Sequence, residues 1–101
     1  MNLYRLLLAH LFATLLLSAE TPRFKVVTYN LENYLVERSG TRVPKPEAAR
    51  RKVTETLTAI RPDVLAIQEI GPTNALLELQ SRLRQSGLDL PHWEHVSGYD
   101  T

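Results

Sequence analysis

Cysteine is absent from all 101 residues. That excludes a disulfide framework, a thiolate metal site, a cysteine nucleophile and lipid attachment through an N-terminal cysteine. Net charge is nearly absent as well: 12 Lys and Arg against 11 Asp and Glu leave +1. So even a balance provides no electrostatic footprint for nucleic acid or an anionic membrane. A phosphate substrate stays open, because a bound cation can supply the positive field locally. No apolar run reaches the ~20 residues that a membrane-spanning helix takes. No internal repeat or low-complexity segment follows the N-terminal stretch. What remains is ordinary for a globular domain, 44% hydrophobic and 23% charged.

The first residues read as a leader. Arg5 makes a basic start, residues 6–17 are apolar apart from His10 and Thr14, and Ser18-Ala19 supplies small residues before Glu20. This is the order of a secretory signal peptide, with cleavage expected after Ala19. The rival reading is an uncleaved N-terminal anchor. The expectation is an exported protein, periplasmic or secreted, with a leader over 1–19 and a folded part over 20–101. A chain of roughly 80 residues buries only ~60–65% of its unfolded surface. The closing Tyr99-Asp100-Thr101 adds no capping element, so a truncated portion of a larger α/β domain is expected.

Two stretches share one design. Phe24 to Tyr29 is β-branched and aromatic and ends in Asn30. Val64-Leu65-Ala66-Ile67 is an unbroken apolar run, read as a strand buried on both faces, and it ends in Gln68-Glu69 before Gly71-Pro72. Between them, residues 31–43 read as a long loop. A helix then spans 47–60, with Ala49, Val53, Leu57 and Ile60 on one stripe. Glu47–Arg51 and Arg51–Glu55 are expected as i,i+4 pairs, and Arg50-Arg51-Lys52 as a solvated face. After Gly71-Pro72, Thr73 is the expected N-cap of a second helix carrying Leu76, Leu79 and Leu83. Glu78 and Arg82 should pair along it, and Gly87 should close it. A weaker third strand is expected over 92–97. The fold class is therefore α/β, in the order β-α-β-α-β.

A parallel βαβ unit puts the carboxyl ends of both strands on one sheet edge, where α/β folds bind ligands. Asn30 and Glu69 are thus the candidate site. The plain alternatives are a turn residue for Asn30 and a solvated strand end for Glu69. Glu32 and Asn33 are expected to shape the site at most. His92 and His95 lie three apart, on opposite faces of a strand, which argues against a shared ion. Trp93 reads as a packing residue.

The pair Val26-Val27-Thr28-Tyr29-Asn30-Leu31-Glu32-Asn33 and Asp63-Val64-Leu65-Ala66-Ile67-Gln68-Glu69 resembles the opening of the endonuclease/exonuclease/phosphatase superfamily. That superfamily includes DNase I-like nucleases, inositol polyphosphate 5-phosphatases and bacterial sphingomyelinases. The resemblance implies the N-terminal portion of a DNase I-like α/β sandwich. It also implies a Mg2+- or Mn2+-dependent phosphodiester hydrolase, with nucleic acid the leading substrate. Asn30 would face the metal and the scissile phosphate, and Glu69 would be a metal ligand. Gly98-Tyr99-Asp100 also looks like family sequence. The family completes its site with a downstream Asp-x-Asn segment and an Asp-His pair that these residues do not include, so the 101 residues alone are expected to be inactive and poorly folded. Phosphomonoesterase or sphingomyelinase activity is the first alternative, and a catalytically silent exported binding module the second.

Overall fold

The computed structural model describes residues 21–98. The leader over 1–19, and Tyr99 and Asp100 of the C-terminal family-like segment, lie outside the described residues. Four elements follow in order: β1 (Val26–Tyr34), α1 (Glu47–Ile60), β2 (Val64–Ile70) and α2 (Thr73–Gln85). The two strands pair in parallel, from Val26 opposite Val64 to Asn30 opposite Gln68. The architecture is a small α/β unit, β-α-β-α. Among the described residues no helix is long and apolar enough to cross a membrane.

The helices form where the apolar spacing placed them. Val53 and Leu57 of α1 and Ala75, Leu79 and Leu83 of α2 are buried against Leu31 and Tyr34 of β1. Prolines open both helices. Pro46 and Pro72 occupy the N-cap positions, where the lack of an N–H costs nothing and the carbonyl starts the helical ladder. Pro46 O accepts from the N–H groups of Ala49 and Arg50, and Pro72 O from Ala75. Thr73 is consequently the first helical residue and not the cap, and no side chain caps either helix. Gly87 closes α2 as expected, at φ +90. Leu88 N–H donates to Leu83 O and Gly87 N–H to Arg84 O, the paired bonds of a Schellman end. Leu88 and Leu83 are both buried there.

Five other expectations change. β1 runs on through Tyr34 instead of giving way to a loop at Leu31, because Leu31 and Tyr34 turn inward and join the core. β2 is covered on one face only: Leu65 and Ile67 pack on the core, whereas Val64 remains 51% exposed on the other side. No third strand forms over 92–97. Gln80 Nε2 holds the Leu90 carbonyl at 2.8 Å, and a ring nitrogen of His95 lies 3.0 Å from the Gly71 carbonyl. The segment lies beside β2 without ladder bonds, across a cleft of about 550 Å³. Trp93 lines that cleft and stays half exposed. Finally, Glu47 pairs with Arg50 and, across the helix interface, with Arg82, rather than with Arg51. Arg51–Glu55 does form, at 3.9 Å. Arg50 leaves the solvated face for the interface between the helices, its side chain only 19% exposed.

Candidate functional site

Strand alternation explains where the site lies. Along β1 and β2, residues alternate between open and covered faces until Asn30 and Gln68, both exposed. Beyond that rung the alternation breaks in both strands. The next paired residues are Tyr34 and Ile70, so Leu31, Glu32 and Asn33 of β1 stand against Glu69 alone. This is a β-bulge, the device that re-aims side chains at sheet edges. Glu32 at φ 52, Asn33 at φ 60 and Glu69 at φ 56 all occupy the left-handed region, which is costly for residues with a Cβ. In regular β geometry Glu69 would follow Leu65 and Ile67 onto the covered face. The left-handed turn rotates it out to the exposed side instead.

There it meets Asn30. Asn30 Nδ2 donates to Glu69 Oε1 at 3.2 Å, and Asn30 Oδ1 accepts the Glu32 N–H at 2.9 Å. Asn30 makes two contacts at once: it bonds its own downstream backbone as a turn residue does, and it reaches the glutamate 39 positions away. Among the described residues, no cation is salt-bridged to Glu69. Gln68, on the same edge, donates to Thr28 Oγ1 at 3.1 Å across the open face. One contributor escaped the sequence reading: Lys45 Nζ donates to the Glu32 carbonyl at 3.2 Å. A lysine in a proline-flanked loop carries no periodic or motif signal; its role depends on how that loop folds back. Gly71 supports the corner from behind, since a Cβ there would sit 2.7 Å from Leu35 Cδ2 and 3.0 Å from the Tyr34 carbonyl.

A second polar cluster lies on the far side of Tyr34. The hydroxyl of this fully buried tyrosine donates to Glu78 Oε2 at 2.6 Å. Glu78 also accepts from Arg50 at 3.1 Å and from Arg82, and Arg82 forms a two-pronged contact with Glu47 at 2.7 Å per bond. Burial, reinforced by the Glu78 hydrogen bond, raises the Tyr34 pKa well above its usual range. The hydrogen bond from Arg82 lowers that of Glu47, and the same partnership raises that of Arg82. This cluster is charge-balanced and committed to holding β1 against both helices.

Asn30 and Glu69 are thus brought together, as expected of two strand ends on one edge. His92 and His95 are not part of this corner: His95 is engaged with Gly71. Among the described residues no group of three or more His, Asp or Glu is placed to hold a metal ion. Comparison with protein-family models, curated proteins and solved structures yields no match to this chain.

Proposed function

We propose that Asn30 and Glu69 form one end of the active site of an exported, metal-dependent phosphodiester hydrolase, of the superfamily its two motifs resemble, with nucleic acid as substrate. The observation that carries this is the Asn30–Glu69 hydrogen bond at a bulged strand end. Strained backbone is maintained at functional sites more than elsewhere. The leader-like order of Arg5, the apolar run and Ser18-Ala19 supports export.

The donor set suits a hard cation. Mg2+ takes oxygen ligands, keeps several waters and needs only one or two carboxylates from the protein. Glu69 would hold it as an exposed carboxylate to which no cation among the described residues is salt-bridged. Asn30 would orient that carboxylate through Nδ2, and Oδ1 keeps a second lone pair beyond the one given to Glu32. When bound, the ion supplies Lewis-acid polarisation of a phosphoryl oxygen. The Asn30 amide contributes a hydrogen-bond donor for phosphate without adding charge.

The test uses the full-length protein. Mn2+ is titrated calorimetrically into wild type and Glu69→Gln, and turnover of plasmid DNA, sphingomyelin and inositol phosphates is measured with Mg2+ and with EDTA. We expect Glu69→Gln to weaken Mn2+ by at least about tenfold, as loss of even an outer partner does at metal sites. DNA should be the preferred substrate, and chelation should abolish its turnover. Hydrolysis that survives exhaustive chelation overturns the reading; preference for sphingomyelin or inositol phosphates redirects it within the superfamily.

A further inference from the structure

Left-handed residues other than glycine persist only where their surroundings hold them. For Glu69 the holding contacts are close at hand: Ile70 pairs with Tyr34, and Gly71 N–H donates to the Tyr34 carbonyl at 2.8 Å. On the opposite strand, the Glu32 residue is gripped at both ends. Its N–H is taken by Asn30 Oδ1, and its carbonyl by Lys45 Nζ.

Lys45 is itself fixed. Its N–H donates to the Leu35 carbonyl at 2.8 Å. The intervening loop is folded back by a two-residue turn, in which Ser39 and Arg42 exchange backbone bonds of 3.0 and 2.9 Å around Gly40 at φ 59. Two residues further on, α1 begins. Lys45 is only partly exposed as a residue, and its ammonium reaches the Glu32 carbonyl at the surface.

We propose that Lys45 is a positioning residue of the Asn30–Glu69 site. By holding the Glu32 carbonyl it keeps the left-handed Glu32-Asn33 turn in place. That turn fixes Asn30 Oδ1, and a planar amide with its oxygen fixed has one direction left for Nδ2, toward Glu69. Without the ammonium, Glu32 and Asn33 relax toward ordinary backbone, Asn30 loses its acceptor contact, and Glu69 loses the partner that orients it. The cation arm of the test below rests on the function proposed above; the amide arm does not.

The experiment uses the 15N-labelled full chain. The side-chain amide pair of Asn30 is identified by its disappearance in Asn30→Asp. Lys45→Met keeps the apolar stem and removes the donors. Lys45→Arg keeps a donor, and Lys52→Met controls for charge at an exposed position of α1. In Lys45→Met the Asn30 Nδ2 protons should shift to the position of a free amide and exchange faster with solvent. Mn2+ affinity should fall about tenfold, with little change in melting temperature. Lys45→Arg should restore both signals, and Lys52→Met should leave both as in wild type. An unchanged Asn30 amide signal in Lys45→Met overturns the proposal. A moved signal in a protein that binds no Mn2+ upholds Lys45 as the positioning residue and overturns the metal reading instead. Should Lys45→Met fail to fold, Lys45→Gln, whose shorter side chain falls short of Glu32, takes its place against Lys45→Arg, with the same readings deciding.

Discussion

Two glutamates on neighbouring elements receive hydrogen bonds from β1 side chains, yet they are built for opposite ends. Glu78, 25% exposed, accepts from the Tyr34 hydroxyl and from two guanidinium groups. Glu69, exposed at the strand end, accepts from one neutral amide. Glu78 accepts three hydrogen bonds from protein, and two guanidinium groups answer its charge, which leaves it little to offer a ligand. Among the described residues no cation neutralises Glu69, which is oriented on a backbone that does not favour it. A carboxylate held in place and left uncompensated is one that is available; a carboxylate surrounded by arginines is structure.

The largest effect should come from breaking the committed one. Glu78→Ala leaves the buried Tyr34 hydroxyl without an acceptor and two guanidinium groups facing each other. It should cost about 2–3 kcal/mol, the scale of stranding partly buried polar groups, read as a fall in urea midpoint. Glu69→Gln should cost almost nothing by the same measurement. Equal losses in the two variants would erase the distinction between them.

Tyr34→Phe probes the committed cluster more gently and should cost about 1 kcal/mol near neutral pH, the net value of a typical hydrogen bond. Its pH dependence carries a definite sign. The folded pKa of Tyr34 lies above the ordinary 10.0, chiefly through burial and then through Glu78. The neutral hydroxyl is therefore favoured by folding. That contribution is complete below about pH 10, where the unfolded tyrosine is also neutral, and is lost as pH rises through the interval toward the folded value. Urea midpoints measured from about pH 8 to about pH 11 should fall more steeply in wild type than in Tyr34→Phe. Parallel curves would mean that Tyr34 contributes no alkaline sensitivity.

A further small effect is of opposite sign. Glycine adopts the left-handed region without a Cβ penalty of about 1–2 kcal/mol, at the cost of about 0.4–1 kcal/mol through a freer unfolded chain. Glu69→Gly should thus raise stability by a few tenths to about 1 kcal/mol while removing the carboxylate that would bind a cation. A destabilised Glu69→Gly protein would indicate that the Glu69 side chain is itself structural.

Much of the scaffold could be read from residue order alone. The 3.6-residue spacing of Val53 and Leu57, and of Leu79 and Leu83, marks buried stripes because a helix repeats locally. Gly87 marks a helix end because only the local backbone needs its freedom. Asn30 and Glu69 could be matched because a parallel crossover returns two strand ends to one edge. The single-sided burial of β2 could not be read in the same way: Val64 to Ile67 is apolar throughout, and only the placement of both helices decides which side is covered. Likewise, residues 92–97 have strand-like composition but do not join the ladder; His95 instead engages the Gly71 carbonyl, and Gln80 holds Leu90 just ahead of them.

The sequence by itself determined the β-α-β-α order, the buried stripes of the helices and the common edge that carries Asn30 and Glu69, because each of these depends on short-range periodicity and connection rules. Only the tertiary structure decided that β1 continues to Tyr34, that three left-handed residues share one bulge, that Lys45 returns to grip Glu32, and that Arg50 joins Arg82 around Glu78. The physical reason is the same in each case. Left-handed backbone, a partly buried ion cluster and a lysine-to-carbonyl contact are unfavourable or neutral one at a time, and become stable only when segments distant in sequence close around them.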